Sequence, residues 1–400
     1  MTKYTMYALT HCTLYTGSQE LDGHALVIEA DRILDVVPEA QLGSDLQRID
    51  GQGWAAAPGF IDLQLNGCGG VMFNDAISAE TLQIMHRTNL KSGTTSFLPT
   101  LITAPDGDME AAMEVVADYR RTYPHSVLGL HLEGPYLNPK RKGIHNGAYV
   151  RQPDDAMVAR ILNAGTDGVK ILTLAPEMVT PETIRRLSGA GILVSAGHTQ
   201  ASFEDALAGF DAGVGMVTHL FNAMSPWQGR QPGMVGAAFS RPQVYAGIIA
   251  DGHHVHYGSI SLAHKIKGDK LLLVTDATPP AGTDMDSFMI GGQTVFYRDG
   301  KCLSAEGTLG GSALTMIEAV RNCVQFVDLP LAEALRMASL YPAQAIGVDH
   351  QLGRLSQGYV ANVTVFDPNT LAVCHTIDRG QLDAPHSIEA SWSGPSGRVK

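Results

Sequence analysis

Eight short apolar runs, each ending in polar residues, recur along the chain, and this repetition is the feature that most constrains its fold. The lengths of the runs are typical of buried β-strands, and most intervals between them hold a segment with helical spacing. Eight β/α units in about 290 residues predict a (β/α)8 TIM-type barrel, and a doubly wound open sheet is the weaker alternative. The runs are 59–66, 94–100, 127–133, 169–177, 192–198, 216–222, 245–251 and 271–276.

Helices are expected in the intervals between these runs. Thr180 precedes Pro181 and Ser202 precedes Phe203, which are typical helix starts, and Gly213 is typical of a helix end. The predicted helices are 79–91, 109–121, 153–163, 181–190 and 203–212, and a further helix, 331–339, follows the last run.

Both ends of the chain differ from this pattern. Short alternating segments at 7–9, 25–29, 33–37 and 361–366 predict antiparallel strands. We therefore expect three regions: residues 1–57 and 351–400 as the two parts of one small β-sandwich domain, and residues 58–350 as the barrel with the active site. The tail after Thr376 is rich in Gly, Ser and Pro and receives no role.

Charge and composition exclude several classes of protein. The 400 residues carry 28 basic and 40 acidic side chains, a net charge of −12, which disfavours nucleic-acid binding. No apolar stretch approaches the ~20 residues of a membrane span, and we expect no signal peptide. The five cysteines have no clustered spacing, so they predict reduced thiols in the cytoplasm.

Acidic and imidazole side chains stand at the predicted strand ends, where barrel enzymes carry their catalytic residues. Glu133, His198 and His219 occur in HLEGPY, SAGHT and THLFNAM. One carboxylate and two imidazoles suit a zinc-like divalent ion with a position open to water. Each residue alone could be a hydrogen-bonded core histidine or a paired glutamate, but three of them at strand ends favour the metal.

Asp276 follows the almost wholly apolar run in LLLVTDATPPAG. Its carboxylate would face the same mouth of the barrel, where it could act as general base toward water and then as general acid toward a leaving amine. The alternative is a helix N-cap before Ala277.

A third group of candidates lies in loops. Arginine, imidazoles and loop amides together suit a phosphate or a carboxylate. The group comprises His145, Asn222, Ala223, Arg230, His253 and His254. The basic run 140–142 is interpreted instead as solvated loop charge.

Eight segments stand in a distinctive order between roughly residues 5 and 376: PGFIDLQLNG, HLEGPYLNPKRKGIHN, SAGHT, THLFNAM, GRQPG, IADGHHV, LVTDATPPAG and GTLGGS. They resemble the N-acetylglucosamine-6-phosphate deacetylases of the amidohydrolase superfamily. The resemblance implies a metal-dependent hydrolase that removes acetate from N-acetylglucosamine 6-phosphate in amino-sugar catabolism and cell-wall amino-sugar recycling, working as a cytoplasmic homodimer.

The resemblance also implies a role for each matching residue. Glu133, His198 and His219 would hold the metal, Asp276 would be the acid and base, and His145 would orient and polarise the acetamide carbonyl. The sugar phosphate would be bound by Asn222, Ala223, Arg230 and His254, with Arg230 reaching the neighbouring subunit, and by Leu309, Gly310 and Gly311 along the sugar.

One departure from the wider superfamily bears on the number of metal ions. Many amidohydrolases carry His-x-His on the first strand for a second metal, whereas this chain has Gln64 and Asn66 there. Neutral amides are poor zinc ligands, so we predict one divalent ion per subunit, with zinc preferred and iron, manganese and cobalt open.

Other functions remain open at this point. The same fold and metal could serve a cyclic-amide hydrolase or a nucleobase deaminase. The substrate could be the N-acetylgalactosamine isomer, or the chain could be a catalytically silent phosphosugar-binding homologue.

Overall fold

A closed eight-stranded parallel barrel forms the centre of the computed structural model, which describes residues 6–382. Its strands pair in chain order. The last meets the first where the Asp276 N–H donates to the Gln64 carbonyl and the Asn66 N–H donates to the Ala277 carbonyl, both at 2.9 Å. The barrel prediction is confirmed. Barrel strands 1 to 8 are Phe60–Leu65, Thr94–Ile102, Leu130–Glu133, Val169–Leu174, Leu193–Ala196, Met216–Val217, Tyr245–Ile248 and Leu271–Leu273.

Helices follow each barrel strand and cover the outside of the barrel. The five predicted between the strands are present, with ends shifted by up to five residues, and Ser202 caps its helix through a reciprocal pair of bonds with Asp205. Barrel helices 1 to 8 are Ala79–Leu90, Asp106–Thr122, Asp155–Gly168, Pro181–Gly189, Phe203–Ala212, Gly233–Ser240, Tyr257–Lys267 and Met316–Phe326, and Leu331–Ala338 and Leu340–Ala345 follow them. Single 3-10 turns lie at Glu39–Gln41, Pro139–Arg141, Pro176–Met178 and Gly268–Lys270.

The two ends of the chain pair with each other beside the barrel. Two sheets share a core that includes Tyr7, Leu26, Val363 and Ile377. The first terminal part is predicted to end at residue 57; its last strand, Ala55–Pro58, ends two residues before barrel strand 1 begins at Phe60. In spatial order one sheet is Arg32–Pro38, His24–Glu29, Met6–Thr10 and Arg48–Asp50, and the other is Gln381–Leu382, Val373–Asp378, Val363–Phe366, Ala55–Pro58, Thr13–Tyr15 and Glu20–Leu21.

The second sheet extends into the segment after Thr376. Residues 377–382 belong to it, because Ile377 pairs with Leu382 across a turn at Gly380. The part of the tail after residue 382 lies outside the described residues.

A three-stranded antiparallel sheet, which the sequence pattern did not indicate, follows barrel strand 8. It comprises Ser287–Ile290, Gln293–Arg298 and Lys301–Ser304. Ile290, Phe288 and Val295 pack with Ile144 and Ile102, so this sheet lies over the mouth of the barrel. A two-stranded hairpin, Gly67–Cys68 with Val71–Met72, lies after barrel strand 1. No helix within residues 6–382 combines the length and apolar character that crossing a membrane would require.

Candidate metal centre and active site

Three buried side chains converge at the carboxyl end of the barrel. Glu133 is the last residue of barrel strand 3, and His198 and His219 each lie two residues beyond barrel strands 5 and 6. Both histidines have positive φ angles, 49° and 32°. Such angles are uncommon outside glycine and concentrate where the surrounding structure holds a functional side chain in place.

The atoms of these three side chains fit a shared cation. His198 Nε2 lies 3.0 Å from Glu133 Oε1, and His219 Nε2 lies 3.1 Å from both of those atoms. His198 Nδ1 lies 2.8 Å from the Arg141 carbonyl oxygen and donates to it, so its Nε2 presents a lone pair to the centre. Ligands of a tetrahedral zinc stand about 3.3 Å apart, which is close to this spacing. Two facing imidazole nitrogens beside one carboxylate therefore suit a divalent ion.

The charges around Glu133 also favour cation binding. Burial alone would raise the pKa of Glu133, but the neighbouring imidazoles of His198 and His219 outweigh burial and hold that pKa well below its ordinary value. The carboxylate is therefore ionised at neutral pH, as a metal ligand must be.

Asp276 stands beside this group with one carboxylate oxygen fixed by amides. Its Oδ1 accepts hydrogen bonds from Asn66 Nδ2 at 2.7 Å and Gln64 Nε2 at 3.1 Å, and the same Gln64 nitrogen donates to Glu133 Oε1 at 3.1 Å. Burial, followed by the charge of Glu133, raises the pKa of Asp276 to about 6. An acid near neutrality can both take and return a proton.

His145 presents one defined face to the cavity. Its Nδ1 accepts from the Thr103 N–H at 3.3 Å and lies 2.8 Å from the Thr103 hydroxyl, so the proton resides on Nε2. Burial and the neighbouring His198 lower the pKa of His145 to about 3, so the ring is neutral at pH 7. The Nε2–H group lies 4.0 Å from Glu133 Oε2, on the side of the metal-ligand group.

A cavity of about 340 Å³ contains this chemistry. Its size falls in the range of small-molecule sites. It brings together Glu133, His145, His198, His219, Asn222, Ala223, His254, Asp276, Leu309 and Gly311 among the residues that the sequence predicted. It also includes Asn66, Ile102, Lys140, Arg141, Gly143, Ile144, Ile290 and Thr308.

His254 reaches the cavity with its orientation fixed. Its Nδ1 lies 2.6 Å from Asp251 Oδ2, and Asp251 Oδ1 accepts the backbone N–H groups of His253 and His254 at 2.8 Å. The other ring nitrogen of His254 is therefore left for a ligand, whereas His253 is exposed and does not line the cavity.

Two sequence predictions need correction. Gly310 does not line the cavity: a Cβ there would lie 3.1 Å from Val295 and 3.4 Å from Ile144, so it packs beneath the wall. Arg230 is exposed and lies outside the cavity of its own chain, so its contribution to a neighbouring subunit stays a prediction. Lys140 and Arg141, interpreted as solvated charges, do line it, because the 3-10 turn Pro139–Arg141 folds back over the barrel.

Sequence reasoning missed the contacts made by Gln64 and Asn66. Their signal was present, since amides at positions that hold histidines in related proteins pointed to a changed metal site. Ile290 and Thr308 carried no such signal, because they reach the cavity only through packing of the unpredicted three-stranded sheet and the segment after it.

Comparison with known proteins agrees with this fold. The sequence pattern of the Amidohydrolase family matches residues 55–392, and that of the NagA composite domain matches residues 6–55. The chain is 46% identical to an N-acetylglucosamine-6-phosphate deacetylase of Haemophilus influenzae, over 91% of this chain and 96% of the relative. It is 42% identical to an N-acetylgalactosamine-6-phosphate deacetylase of a Shewanella species, over 76% and 77%.

Solved structures give the same result. The N-acetylglucosamine-6-phosphate deacetylase of Pasteurella multocida superposes with a TM-score of 0.93 at 49% identity, over 95% of this chain and 100% of the other. A mutant of the Mycobacterium smegmatis enzyme in complex with N-acetyl-D-glucosamine-6-phosphate superposes at 0.88 with 30% identity, over 95% and 99%. The chain belongs to the amidohydrolase family. Within that family it belongs with the N-acetylglucosamine-6-phosphate deacetylases.

Proposed function

We propose that this protein hydrolyses N-acetylglucosamine 6-phosphate to glucosamine 6-phosphate and acetate. The observation that carries the proposal is the convergence of three metal-ligand side chains, Asp276 and the Nε2–H group of His145 on one cavity of substrate size. The names of the most similar relatives and structures point to the same substrate class.

Asp276 moves the proton in the proposed reaction. Gln64 and Asn66 occupy its Oδ1, so Oδ2 remains to accept a proton from water as the water oxygen attacks the acetamide carbon. Asp276 then donates that proton to the amine nitrogen as the C–N bond breaks, which releases acetate and the amino sugar.

One divalent ion would be held by Glu133, His198 and His219, and we propose that this ion is zinc. Mixed carboxylate and imidazole ligands also accept iron, manganese or cobalt. When bound, such an ion lowers the pKa of a bound water and polarises the carbonyl. Gln64 and Asn66 already donate to Glu133 and Asp276, so these amides support one ion instead of two.

His145 is proposed to stabilise the negative charge that develops on the carbonyl oxygen. His145→Gln is expected to reduce kcat by about 10²–10³, the usual cost of losing one preorganised donor, with unchanged metal content. Steady-state kinetics and elemental analysis of the purified variant test this together. An unchanged kcat would remove His145 from the mechanism.

We propose that the sugar phosphate is bound by Asn222, Ala223 and His254, and that Leu309 and Gly311 lie along the sugar. Lys140 and Arg141 add positive charge at the same cavity. The resemblance implies that Arg230 binds the sugar phosphate. This role requires a homodimer, because Arg230 lies outside the cavity of its own chain.

Mixed dimers test the role of Arg230. Arg230→Ala alone is expected to raise KM more than it lowers kcat. Dimers that combine one Arg230→Ala subunit with one Asp276→Asn subunit should contain one complete site with the parent KM. Two inactive or high-KM sites in the mixed dimer would contradict a contribution across the interface.

The proposed function is tested by acetate release from single-metal protein. We expect turnover of N-acetylglucosamine 6-phosphate, and much weaker turnover of unphosphorylated N-acetylglucosamine. Equal use of both sugars would contradict the phosphate-binding assignment. A preference for N-acetylgalactosamine 6-phosphate would favour the second candidate, which the similarity to the Shewanella enzyme motivates. If neither phosphorylated sugar is hydrolysed, the remaining candidate is a catalytically silent protein that binds a phosphosugar.

We also propose that the protein acts in the cytoplasm. All five cysteines are free, as expected of a chain kept in a reducing compartment.

A further inference from the structure

Barrel strand 4 is followed by a carboxylate that the proposed mechanism does not use. Within residues 6–382, no cavity-lining residue comes from this strand or from the 3-10 turn Pro176–Met178 after it. That turn nevertheless carries Glu177, whose half-buried side chain lies between the loops after barrel strands 3 and 5.

Three donors converge on the Glu177 carboxylate from the two sides of His198. Its Oε1 accepts from Asn138 Nδ2 at 2.9 Å and from the Gln200 N–H at 2.7 Å, and its Oε2 accepts from the Thr199 hydroxyl at 2.5 Å. Hydrogen bonds to an ionised acceptor are shorter and stronger than neutral ones. One side chain therefore joins the two segments that pack around the metal ligand.

The loop after barrel strand 3 contacts His198 directly, and Thr199 and Gln200 continue the chain from His198. The Asn138 N–H donates to the His198 carbonyl at 2.9 Å, and the Asn138 side chain caps the 3-10 turn by accepting from the Lys140 N–H at 3.0 Å. That turn places the Arg141 carbonyl 2.8 Å from His198 Nδ1. The backbone position and the ring orientation of His198 thus both depend on a segment that Glu177 holds.

The strain at His198 makes such support necessary. A non-glycine residue at φ 49° is strained, and this conformation persists only where neighbouring contacts over-determine it. Thr199, the next residue, also donates its N–H to the Ala223 carbonyl at 3.0 Å, which links the same loop to the proposed phosphate-binding segment.

We propose that Glu177 is a positioning residue, which joins the loops after barrel strands 3, 4 and 5 and so fixes His198 in its metal-binding orientation. The inference rests on the proposed metal site, but it concerns metal affinity and not the identity of the substrate.

Metal affinity, measured without substrate by competition with a chromophoric chelator, tests this proposal. Zn²⁺ is the probe, and the Tm of each variant in excess chelator is measured in parallel. Glu177→Ala is expected to weaken Zn²⁺ binding about 10-fold or more, as is usual when residues that support metal ligands are replaced. Glu177→Gln keeps a carbonyl oxygen for Asn138 and Gln200 and should stay within about threefold of the parent. Excess Zn²⁺ should largely restore kcat to Glu177→Ala.

The control is Glu182→Ala, an exposed glutamate in the first turn of barrel helix 4, which should leave Zn²⁺ affinity unchanged. Parent-like Zn²⁺ affinity in Glu177→Ala, even with a lowered Tm in chelator, would overturn the proposal by reducing Glu177 to a structural role. If Glu177→Ala does not fold, Thr199→Val removes one of the three donors. We then expect about a threefold loss of affinity, and no loss would overturn the proposal.

The outcome separates this proposal from the proposed function. If the parent protein binds Zn²⁺ but releases no acetate from the phosphorylated sugars, the deacetylase assignment fails and the Glu177 test still stands. If the parent is an active deacetylase and Glu177→Ala binds Zn²⁺ equally well, only the positioning role fails.

Discussion

Replacing Asp276 with asparagine is expected to reduce kcat by about 10²–10⁴ while the protein keeps its metal and binds a substrate analogue. The amide preserves the shape of the side chain but cannot accept a proton from water or return it to the amine, and general acid–base catalysis typically contributes this factor. Gln64 and Asn66 both donate to Oδ1, so the asparagine oxygen can keep these bonds with its nitrogen at the position of Oδ2.

Steady-state kinetics, elemental analysis and calorimetry with a non-hydrolysable analogue together measure this effect. Asp75→Asn, at an exposed aspartate outside the cavity, provides the control and should behave like the parent. Near-parent turnover in Asp276→Asn would reject the assigned role, and loss of the metal would show that Asp276 acts mainly as part of the metal site.

The second large effect is expected from His219→Ala. Removing one of the three ligands leaves an incomplete metal site, and a bound ion contributes several kcal/mol to transition-state stabilisation, so kcat/KM should fall by at least about 10³. The metal content should fall with it. His253→Ala is the matched control, because His253 is exposed and lies outside the cavity.

The kinetics of His219→Ala are measured at several Zn²⁺ concentrations. Added Zn²⁺ should not restore the parent rate at any concentration that leaves His253→Ala fully active. Full activity of His219→Ala with bound metal would contradict the ligand assignment.

The barrel could be predicted because its signals are local in the sequence. Each strand is a short apolar run followed by a polar residue, and parallel strands bring those polar residues to one end of the barrel. This pattern predicts Glu133, His198, His219 and Asp276 at that end.

The remaining features depend on contacts that the sequence pattern does not encode. Lys140 and Arg141 look like ordinary loop cations, and only the fold of the 3-10 turn brings them to the cavity. Gln64 matters because one amide nitrogen reaches two carboxylates from different strands. Glu177 has no distinctive motif, and its three donors come from segments 22 to 39 residues away in the chain.

We propose that one divalent ion is held by Glu133, His198 and His219. This proposal is tested most directly by elemental analysis of metal-saturated, dialysed protein alongside a crystal structure of the same preparation. We expect one ion per chain, with Glu133, His198 and His219 as its protein ligands. Two tightly held ions per chain, or a single ion bound elsewhere, would contradict it.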